Sequence, residues 1–240
     1  MTNTILQATG LIKQYGTTRA LDGVSLACAA GTSTAIMGAS GSGKTTLLHV
    51  LAGIIAPDAG SVVYAGSEIS RLGDADRSRL RREQFGFVFQ QGLLVPELTA
   101  VENVALAVML NGATKREALQ PAAQWLAALG LAGLEDRRLG ELSGGQAQRV
   151  AIARAQVTGA SIVFADEPTG ALDSTTSSEV IDALLGSTVG QGKTLVMVTH
   201  DPQVAARCQR VITVSDGRIV ADHFGGSPAS AVAPSSGATR

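Results

Sequence analysis

The 240-residue chain has few aromatic residues, only two cysteines and almost no net charge. Aromatic residues make up 3% of the sequence, and the two cysteines are Cys28 and Cys208. Two cysteines so far apart form neither a disulfide framework nor a metal-ligand spacing, so both are predicted to be packing residues. With 19 basic and 20 acidic residues, the net charge of −1 offers no electrostatic basis for nucleic acid as a partner.

Long hydrophobic runs are also missing, although 45% of the residues are hydrophobic. No run approaches the roughly 18 apolar residues of a spanning helix, and residues 1–10 lack the pattern of a signal peptide. The sequence therefore predicts a cytoplasmic protein whose role at a membrane, if any, comes through a partner. No internal repeat is present, and a chain of this length can form one domain with an elaboration.

The first part of the chain alternates short apolar runs with turn signals. Between Ile5 and Tyr64 this pattern predicts several short strands, mostly antiparallel, around a glycine-rich loop. The run 46–51 after that loop predicts a helix that ends at Gly53. His49 lies in that helix and is interpreted as a structural or surface residue.

The middle of the chain reads as helical. Phe85–Phe89 is predicted to be a buried strand that ends at Gln90. Two T-x-x-E capping boxes then predict helices over about 99–110 and 114–129, and an S-x-x-Q box at Ser143 begins another. The sequence thus predicts a helical insert over about 91–158.

The remainder returns to strands. Two apolar runs, 162–165 and 195–198, are separated by a helical pattern, which is typical of a βαβ unit buried on both faces. Residues 211–220 predict a closing hairpin with its turn at Asp216 and Gly217. From residue 225 to 240 Gly, Ser, Pro and Ala dominate, which predicts a disordered tail.

The glycine-rich loop spells G-x-x-x-x-G-K-T between a predicted strand and a predicted helix. Glycines let backbone N–H groups converge on a polyphosphate, and the positive end of the following helix adds to the field. Lys44 would reach the β- and γ-phosphates, and the Thr45 hydroxyl would bind Mg²⁺. The candidate phosphate-binding residues are Gly38, Ala39, Ser40, Gly41, Ser42, Gly43, Lys44, Thr45 and Thr46.

Further candidates stand at the ends of predicted strands, where parallel sheets bind ligands. Asp166 suits a Mg²⁺ ligand, and Glu167 is placed to accept a proton from an attacking water. An Asp-Glu pair at a strand end is ordinarily a cap or a solvated turn, but the phosphate loop favours the catalytic interpretation. His200 is a candidate γ-phosphate ligand, although a lone histidine is more often structural. Gln90 could orient water or bind Mg²⁺, although glutamines at strand ends are commonplace.

Tyr15 is a candidate to stack on an adenine ring. An exposed tyrosine in an N-terminal turn is an equally good interpretation of this residue.

The ordered motifs resemble those of ATP-binding cassette ATPases over about residues 5–222. Leu142–Gln146 matches the family's signature peptide and lies between the phosphate loop and Asp166, as that family requires. Gln90 resembles the Q-loop glutamine, Asp166 and Glu167 the Walker B pair, Ala171–Asp173 the D-loop, and His200 the switch histidine.

This resemblance implies an α/β P-loop NTPase with a RecA-like mixed-sheet core, an N-terminal antiparallel β subdomain and an inserted α-helical subdomain. One domain would span 1–224, with its core at about 1–90 and 159–224 and the helical subdomain at 91–158. The cofactors would be ATP and Mg²⁺, with Thr45, Gln90 and Asp166 at the metal.

The family also implies a head-to-tail dimer with two ATP molecules at its interface. The signature of one subunit would face the nucleotide held by the other, because the N-terminus of a helix is an anion site. The signature residues assigned to this second half of the site are Ser143, Gly144, Gly145 and Gln146. Asp173 of the D-loop is a further candidate for binding the nucleotide. Gln90 and the helical insert would transmit the nucleotide state to an integral-membrane permease.

A finer resemblance is to the subfamily that serves macrolide-exporter, lipoprotein-release and FtsX-like permeases. It is carried by the stretches 86–91, 98–104 and 166–170, whereas Ala147 and Ala171 depart from the residues usual there. The implied function is that of an ATP-hydrolysing subunit on the inner face of the cell membrane, driving export or extraction from the membrane. Two alternatives are a signalling subunit of an FtsX-like complex that transports nothing and a soluble cassette ATPase of DNA repair or translation.

Overall fold

The computed structural model describes residues 3–90 and 92–225. Apart from Gly225, the predicted disordered tail lies outside the described residues. The strands are β1 (Thr4–Tyr15), β2 (Thr18–Ala29), β3 (Ser33–Met37), β4 (Ala59–Tyr64), β5 (Ser67–Glu68), β6 (Phe85–Phe89), β7 (Ile162–Asp166), β8 (Thr194–Val198), β9 (Arg210–Ser215) and β10 (Arg218–Phe224). The α-helices are α1 (Lys44–Leu51), α2 (Asp74–Gln84), α3 (Ala100–Met109), α4 (Lys115–Ala128), α5 (Gly144–Gln156), α6 (Ser174–Ser187) and α7 (Pro202–Ala205).

The N-terminal strands form an antiparallel sheet in the order β2-β1-β4-β5, which confirms the predicted antiparallel part. The prediction of short strands there was wrong, since β1 and β2 each run for 12 residues. Gly10 and Gly23 have positive φ angles of 58° and 77°, and the strand register shifts beside them. Glycine tolerates such bulges, so each strand continues through what the sequence shows as a turn signal.

The second sheet has the order β10-β9-β3-β8-β7-β6 and is parallel except for β10. Its central strands β3, β7 and β8 are buried on both faces, and successive residues belong to different cores. Phe164 of β7 packs against α1 and the antiparallel sheet, whereas Val163 and Ala165 pack toward α3, α5 and α6. This alternation explains the near-continuous apolar runs of β7 and β8.

The helices α3, α4 and α5 lie between β6 and β7 along the chain, as predicted. Each begins with a capping box, built on Thr99, Thr114 and Ser143. The sequence did not predict α2, because α2 buries no residue and so shows no hydrophobic period. The subdomain boundaries near 90 and 158 stay a prediction.

Over the described ranges, no helix combines the length and the apolar character needed to cross a membrane.

Candidate active site

The phosphate loop connects the carboxyl end of β3 to α1 and is shaped by glycines that approach other backbone closely. A Cβ at Gly43 would lie 2.2 Å from the carbonyl oxygen of Ala20, and Gly43 has a φ of 102°. A Cβ at Gly38 would likewise run into the carbonyl oxygen of Val214. Glycine is therefore required at both positions. The Lys44 side chain is buried and donates to the Ala39 carbonyl at 2.7 Å, across the inside of the loop.

The loop forms one wall of an open pocket of about 680 Å³. Glu167 follows β7 and His200 follows β8, and both side chains line this pocket. Since β7 and β8 are parallel neighbours and β8 pairs with β3, their carboxyl ends meet at one edge of the sheet. The residues that line this 680 Å³ pocket are Ala20, Gly38, Ala39, Ser40, Gly41, Gly43, Lys44, Thr45, Thr46, Glu167 and His200.

Glu167 and His200 contact each other directly. His200 Nδ1 lies 2.7 Å from Glu167 Oε2, and the Glu167 side chain is only 20% exposed. Glu167 has a φ of 49°, a conformation that costs a residue other than glycine about 1–2 kcal/mol. The Glu167 amide donates to the Val198 carbonyl at 3.0 Å, which helps to hold this strained turn. The arrangement places a carboxylate facing the phosphate loop.

A second, smaller pocket of about 290 Å³ lies beside the first. It is lined by Thr45, Gln90, Asp166 and Glu167, together with Phe89 and Leu93. The Thr45 hydroxyl donates to Asp166 Oδ1 at 3.2 Å. Burial raises the pKa of Asp166 above its ordinary value, and the Thr45 hydrogen bond and nearby positive groups oppose this only in part.

These oxygen groups fit Mg²⁺. In the part of the chain that the structure describes, no three His, Cys, Asp or Glu side chains cluster as a metal site. Mg²⁺ is commonly held by one or two carboxylates plus substrate phosphates and water, so a site with a single hydroxyl and a single carboxylate beside a phosphate loop suits it. Thr45 and Asp166 are the residues that would hold the ion, with Gln90 at the same pocket.

The signature residues lie away from both pockets. Ser143 is the N-cap of α5 and is exposed together with Gly144, while Gln146 closes the capping box. A Cβ at Gly145 would run into Thr176 of α6, so the start of α5 packs against the helix that follows the D-loop.

Asp173 and Tyr15 also lie outside the two pockets. Asp173 caps α6 by accepting hydrogen bonds from the amides of Thr175 and Thr176, and these bonds lower its pKa. Tyr15 is 48% exposed at the end of β1, with Lys13 Nζ 5.6 Å from its ring centroid. A single chain therefore brings together the phosphate loop, Gln90, Asp166, Glu167 and His200, but neither the signature, Asp173 nor Tyr15.

Ala20 lines the main pocket, although no sequence motif pointed to it. It reaches the site because this part of β2 lies against the phosphate loop, with the Ala20 carbonyl oxygen next to Gly43. An alanine in an antiparallel strand carries no chemical signal, so only the tertiary contact identifies it.

His49, expected to be structural or on the surface, is partly buried.

Comparisons with known proteins agree with these motifs. The family profile described as "ABC transporter" matches residues 21–170. The lipoprotein-releasing system ATP-binding protein LolD of Geobacter metallireducens is 44% identical over 224 residues, which cover 92% of this chain and 100% of that protein. The macrolide export ATP-binding/permease protein MacB of Nitrosomonas europaea is 45% identical over 223 residues, covering 91% of this chain. The chain spans only 34% of that MacB protein.

Solved structures give the same result. The dimeric structure of a bacterial ABC transporter cassette superposes with a TM-score of 0.84 at 36% identity, covering 92% of this chain and 98% of the other. A dimeric post-hydrolysis state of an ATP-binding cassette, bound to ADP and Pi, superposes with a TM-score of 0.83 at 35% identity and the same coverage.

Proposed function

Because the chain belongs to the ABC transporter family, as an ATP-binding domain that is an ATPase, we propose that it is the nucleotide-binding subunit of a membrane transporter. In this proposal two copies close around two Mg-ATP and hydrolyse them. The observation that carries it is the convergence of the phosphate loop, Glu167 and His200 on one pocket, with Asp166 beside it.

The chemistry follows from these positions. The loop amides and Lys44 stabilise the phosphate charge, and Mg²⁺ held by Thr45 and Asp166 would supply further positive charge. Water attacks the γ-phosphorus in line, and the bond to the bridging β–γ oxygen breaks, so that ADP leaves with that oxygen. Glu167 takes the proton of the water, and His200, 2.7 Å away, keeps the carboxylate facing the loop.

Glu167→Gln tests the proposed base. The variant should bind ATP normally and hydrolyse it at least about 100-fold more slowly, since an amide cannot accept the proton. Glu68→Gln is the matched control, because Glu68 lies in β5 and pairs with Arg71 away from both pockets. Calorimetry and steady-state phosphate release measure the two effects. Hydrolysis near the control rate would remove Glu167 from this role.

Two features support the dimer. Ser143 and Gly144 begin a helix at the surface, and the N-terminus of a helix can bind an anion. Neither residue lines the two pockets at the phosphate loop of the same chain. The solved cassettes described above are dimers.

Ser143→Arg tests the dimer by placing a bulky cation where the partner's nucleotide would sit. In the Glu167→Gln background it should spare ATP binding and abolish the ATP-dependent doubling of mass in light scattering. Thr114→Arg removes an equivalent N-cap on α4 and is the control, since both changes cost the helix about 1 kcal/mol. A Ser143→Arg dimer would refute the opposed-signature arrangement.

A groove of about 390 Å³ between α2, β6, α3 and α5 supports a membrane partner. Apolar side chains that include Phe87 and Leu110 line it, together with Arg81, Arg82 and Arg154. Within residues 3–90 and 92–225, none of these arginines has a carboxylate within 4.0 Å. We propose that a cytoplasmic segment of the permease, apolar on one face and carrying an acidic side chain, docks here.

Arg82→Glu reverses a charge at this groove. It should retain ATP hydrolysis but fail to capture the permease from gently solubilised cells, whereas Arg71→Glu, an exposed arginine outside the groove, should capture it. Equal permease capture by both variants would place the docking surface elsewhere.

The names of the relatives favour export or lipoprotein release as the process driven. In our proposal the subunit acts from the cytoplasmic face of the membrane. A signalling subunit is the second candidate, because its ATPase site would have the same residues. Mass spectrometry of the captured permease discriminates the two through the permease's extracytoplasmic part.

A further inference from the structure

We propose that Arg154 and Gln148 of α5 are positioning residues for hydrolysis, because they hold the backbone next to Gln90. This inference rests on the proposed function of Gln90 and Glu167. Neither Arg154 nor Gln148 belongs to the phosphate loop, to the signature peptide or to a pocket that contains Glu167.

The two side chains bind three carbonyl groups close to Gln90. Gln148 Nε2 donates to the Phe89 carbonyl at 2.9 Å, directly before Gln90. Arg154 donates through Nη2 to the Gly92 carbonyl at 2.6 Å and through Nη1 to the Leu93 carbonyl at 2.8 Å. One planar guanidinium thus binds two successive carbonyls, which fixes their relative orientation.

The backbone held in this way is unusual. Gly92 and Leu93 both have positive φ angles, 65° and 47°, and Leu93 is 59% exposed. Two successive left-handed residues, one of them a leucine with little packing of its own, need an outside restraint. The bidentate bond from Arg154 supplies that restraint.

Gln148 and Arg154 are built into α5 rather than lying loosely on the surface. Gln148 is 4% exposed. Burial lowers the pKa of Arg154, and no carboxylate among the described residues lies within 4.0 Å of it. A mostly buried guanidinium that donates to backbone carbonyls serves to hold that backbone.

Gln90 connects the backbone at residues 92 and 93, which Arg154 binds, to the catalytic residues. A Cβ at Gly170 would lie 2.7 Å from Gln90 Nε2, so the Gln90 amide rests directly on the turn that follows Glu167. The Gly170 amide in turn donates to the Glu167 carbonyl at 3.1 Å. Movement of α5 would therefore displace Gln90 relative to Glu167 and Asp166.

Arg154 also lines the groove proposed for the permease. An acidic side chain docked there would compete with the Gly92 and Leu93 carbonyls for the same guanidinium. The docked partner would thereby adjust the position of Gln90 and the rate of hydrolysis. Arg154 thus connects the groove to the nucleotide site within one chain.

Arg154→Lys tests this inference in the whole 240-residue chain. Lysine keeps the charge but cannot bind two carbonyls in the plane of a guanidinium. We expect kcat for ATP to fall between about 10- and 100-fold, the effect of a misplacement of about 1 Å, with KM unchanged within about twofold. Arg207→Lys is the control, because Arg207 pairs with the carboxylate of Asp182 instead, and its kinetics should match the wild type.

Gln148→Glu provides a second variant, since a carboxylate cannot donate to the Phe89 carbonyl. It should show the same loss of kcat with retained KM. An unchanged kcat in both variants, or parallel losses of kcat, ATP affinity and thermal stability, would overturn the positioning role.

Hydrogen exchange separates this inference from the proposed function. Amides of residues 92–98 should exchange faster in Arg154→Lys than in Arg207→Lys, whether or not ATP is hydrolysed. Unchanged exchange at these amides by itself refutes the proposal that Arg154 holds this backbone. Absence of hydrolysis in the wild type with Mg-ATP would refute the proposed function. The hydrogen-exchange result would then still decide whether Arg154 holds the backbone at residues 92 and 93.

Discussion

Gly43→Ala places a single methyl group where the phosphate loop meets β2. The added Cβ would lie 2.2 Å from the Ala20 carbonyl oxygen, and 3.5 Å from the Leu21 side chain. Carbon and oxygen approach to about 3.3 Å at the closest, so the loop or the strand must move by about 1 Å. The positive φ adds a conformational cost of about 1 kcal/mol relative to glycine. Because the added Cβ meets a backbone oxygen, a change of side-chain rotamer cannot relieve the clash.

The consequence falls on Lys44, which immediately follows Gly43. A displacement of about 1 Å at a charge-assisted phosphate contact should weaken ATP binding about 100-fold, as measured by calorimetry. Gly10→Ala is the control: Gly10 has a φ of 58°, but its Cβ would meet nothing within 4 Å. Gly10→Ala should therefore lower the melting temperature slightly and leave ATP affinity unchanged. Equal ATP affinity in the two variants would refute the clash with Ala20.

Three further predictions concern stability. Burial raises the pKa of Asp166, so the folded chain holds that proton more tightly and nucleotide-free stability falls as pH rises from about 4 through the folded-state pKa. Asp166→Asn should therefore melt at a higher temperature than the wild type near pH 7, with a smaller difference near pH 4. Equal melting temperatures of the variant and the wild type at both pH values would contradict this. Asn103→Ala leaves the Val95 amide, which donates to Asn103 at 2.7 Å, without its partner, and this should lower the free energy of unfolding in denaturant by roughly 1–3 kcal/mol. Asn111→Ala, at an exposed position, should lower it by less than about 0.5 kcal/mol. Phe164→Ala removes a buried ring 5.2 Å from that of Phe85 and should cost about 3–5 kcal/mol; a loss below about 1 kcal/mol would mean that the core collapses around it.

The elements that the sequence predicted correctly depend on local chemistry. The capping boxes at Thr99, Thr114 and Ser143 are satisfied within four residues, so their helices begin where the sequence indicates. The runs of β7 and β8 are apolar because both faces are buried, which marks them as central strands without further information.

The wrong or missing predictions also have physical causes. Helix α2 has no hydrophobic period because it buries no side chain, so its sequence resembles a loop. The long strands β1 and β2 contain glycines at bulges, which cannot be told from turns until the partner strand is in place. The structure places Glu167 and His200 with the phosphate loop, and the roles assigned to the site residues stay predictions.

The sequence by itself determined which chemical groups stand at the strand ends and in the phosphate loop, since motif spacing and the direction of parallel strands are enough to bring them to one edge. Tertiary structure alone decided how these groups touch. Glu167 meets His200 across 33 residues, and Arg154 binds the Leu93 carbonyl across 61. The first contact depends on the pairing of β7 with β8 and the second on how α5 packs against β6, and no local pattern encodes either arrangement. The chemical groups are therefore readable in the sequence, whereas their relative positions are a property of the fold.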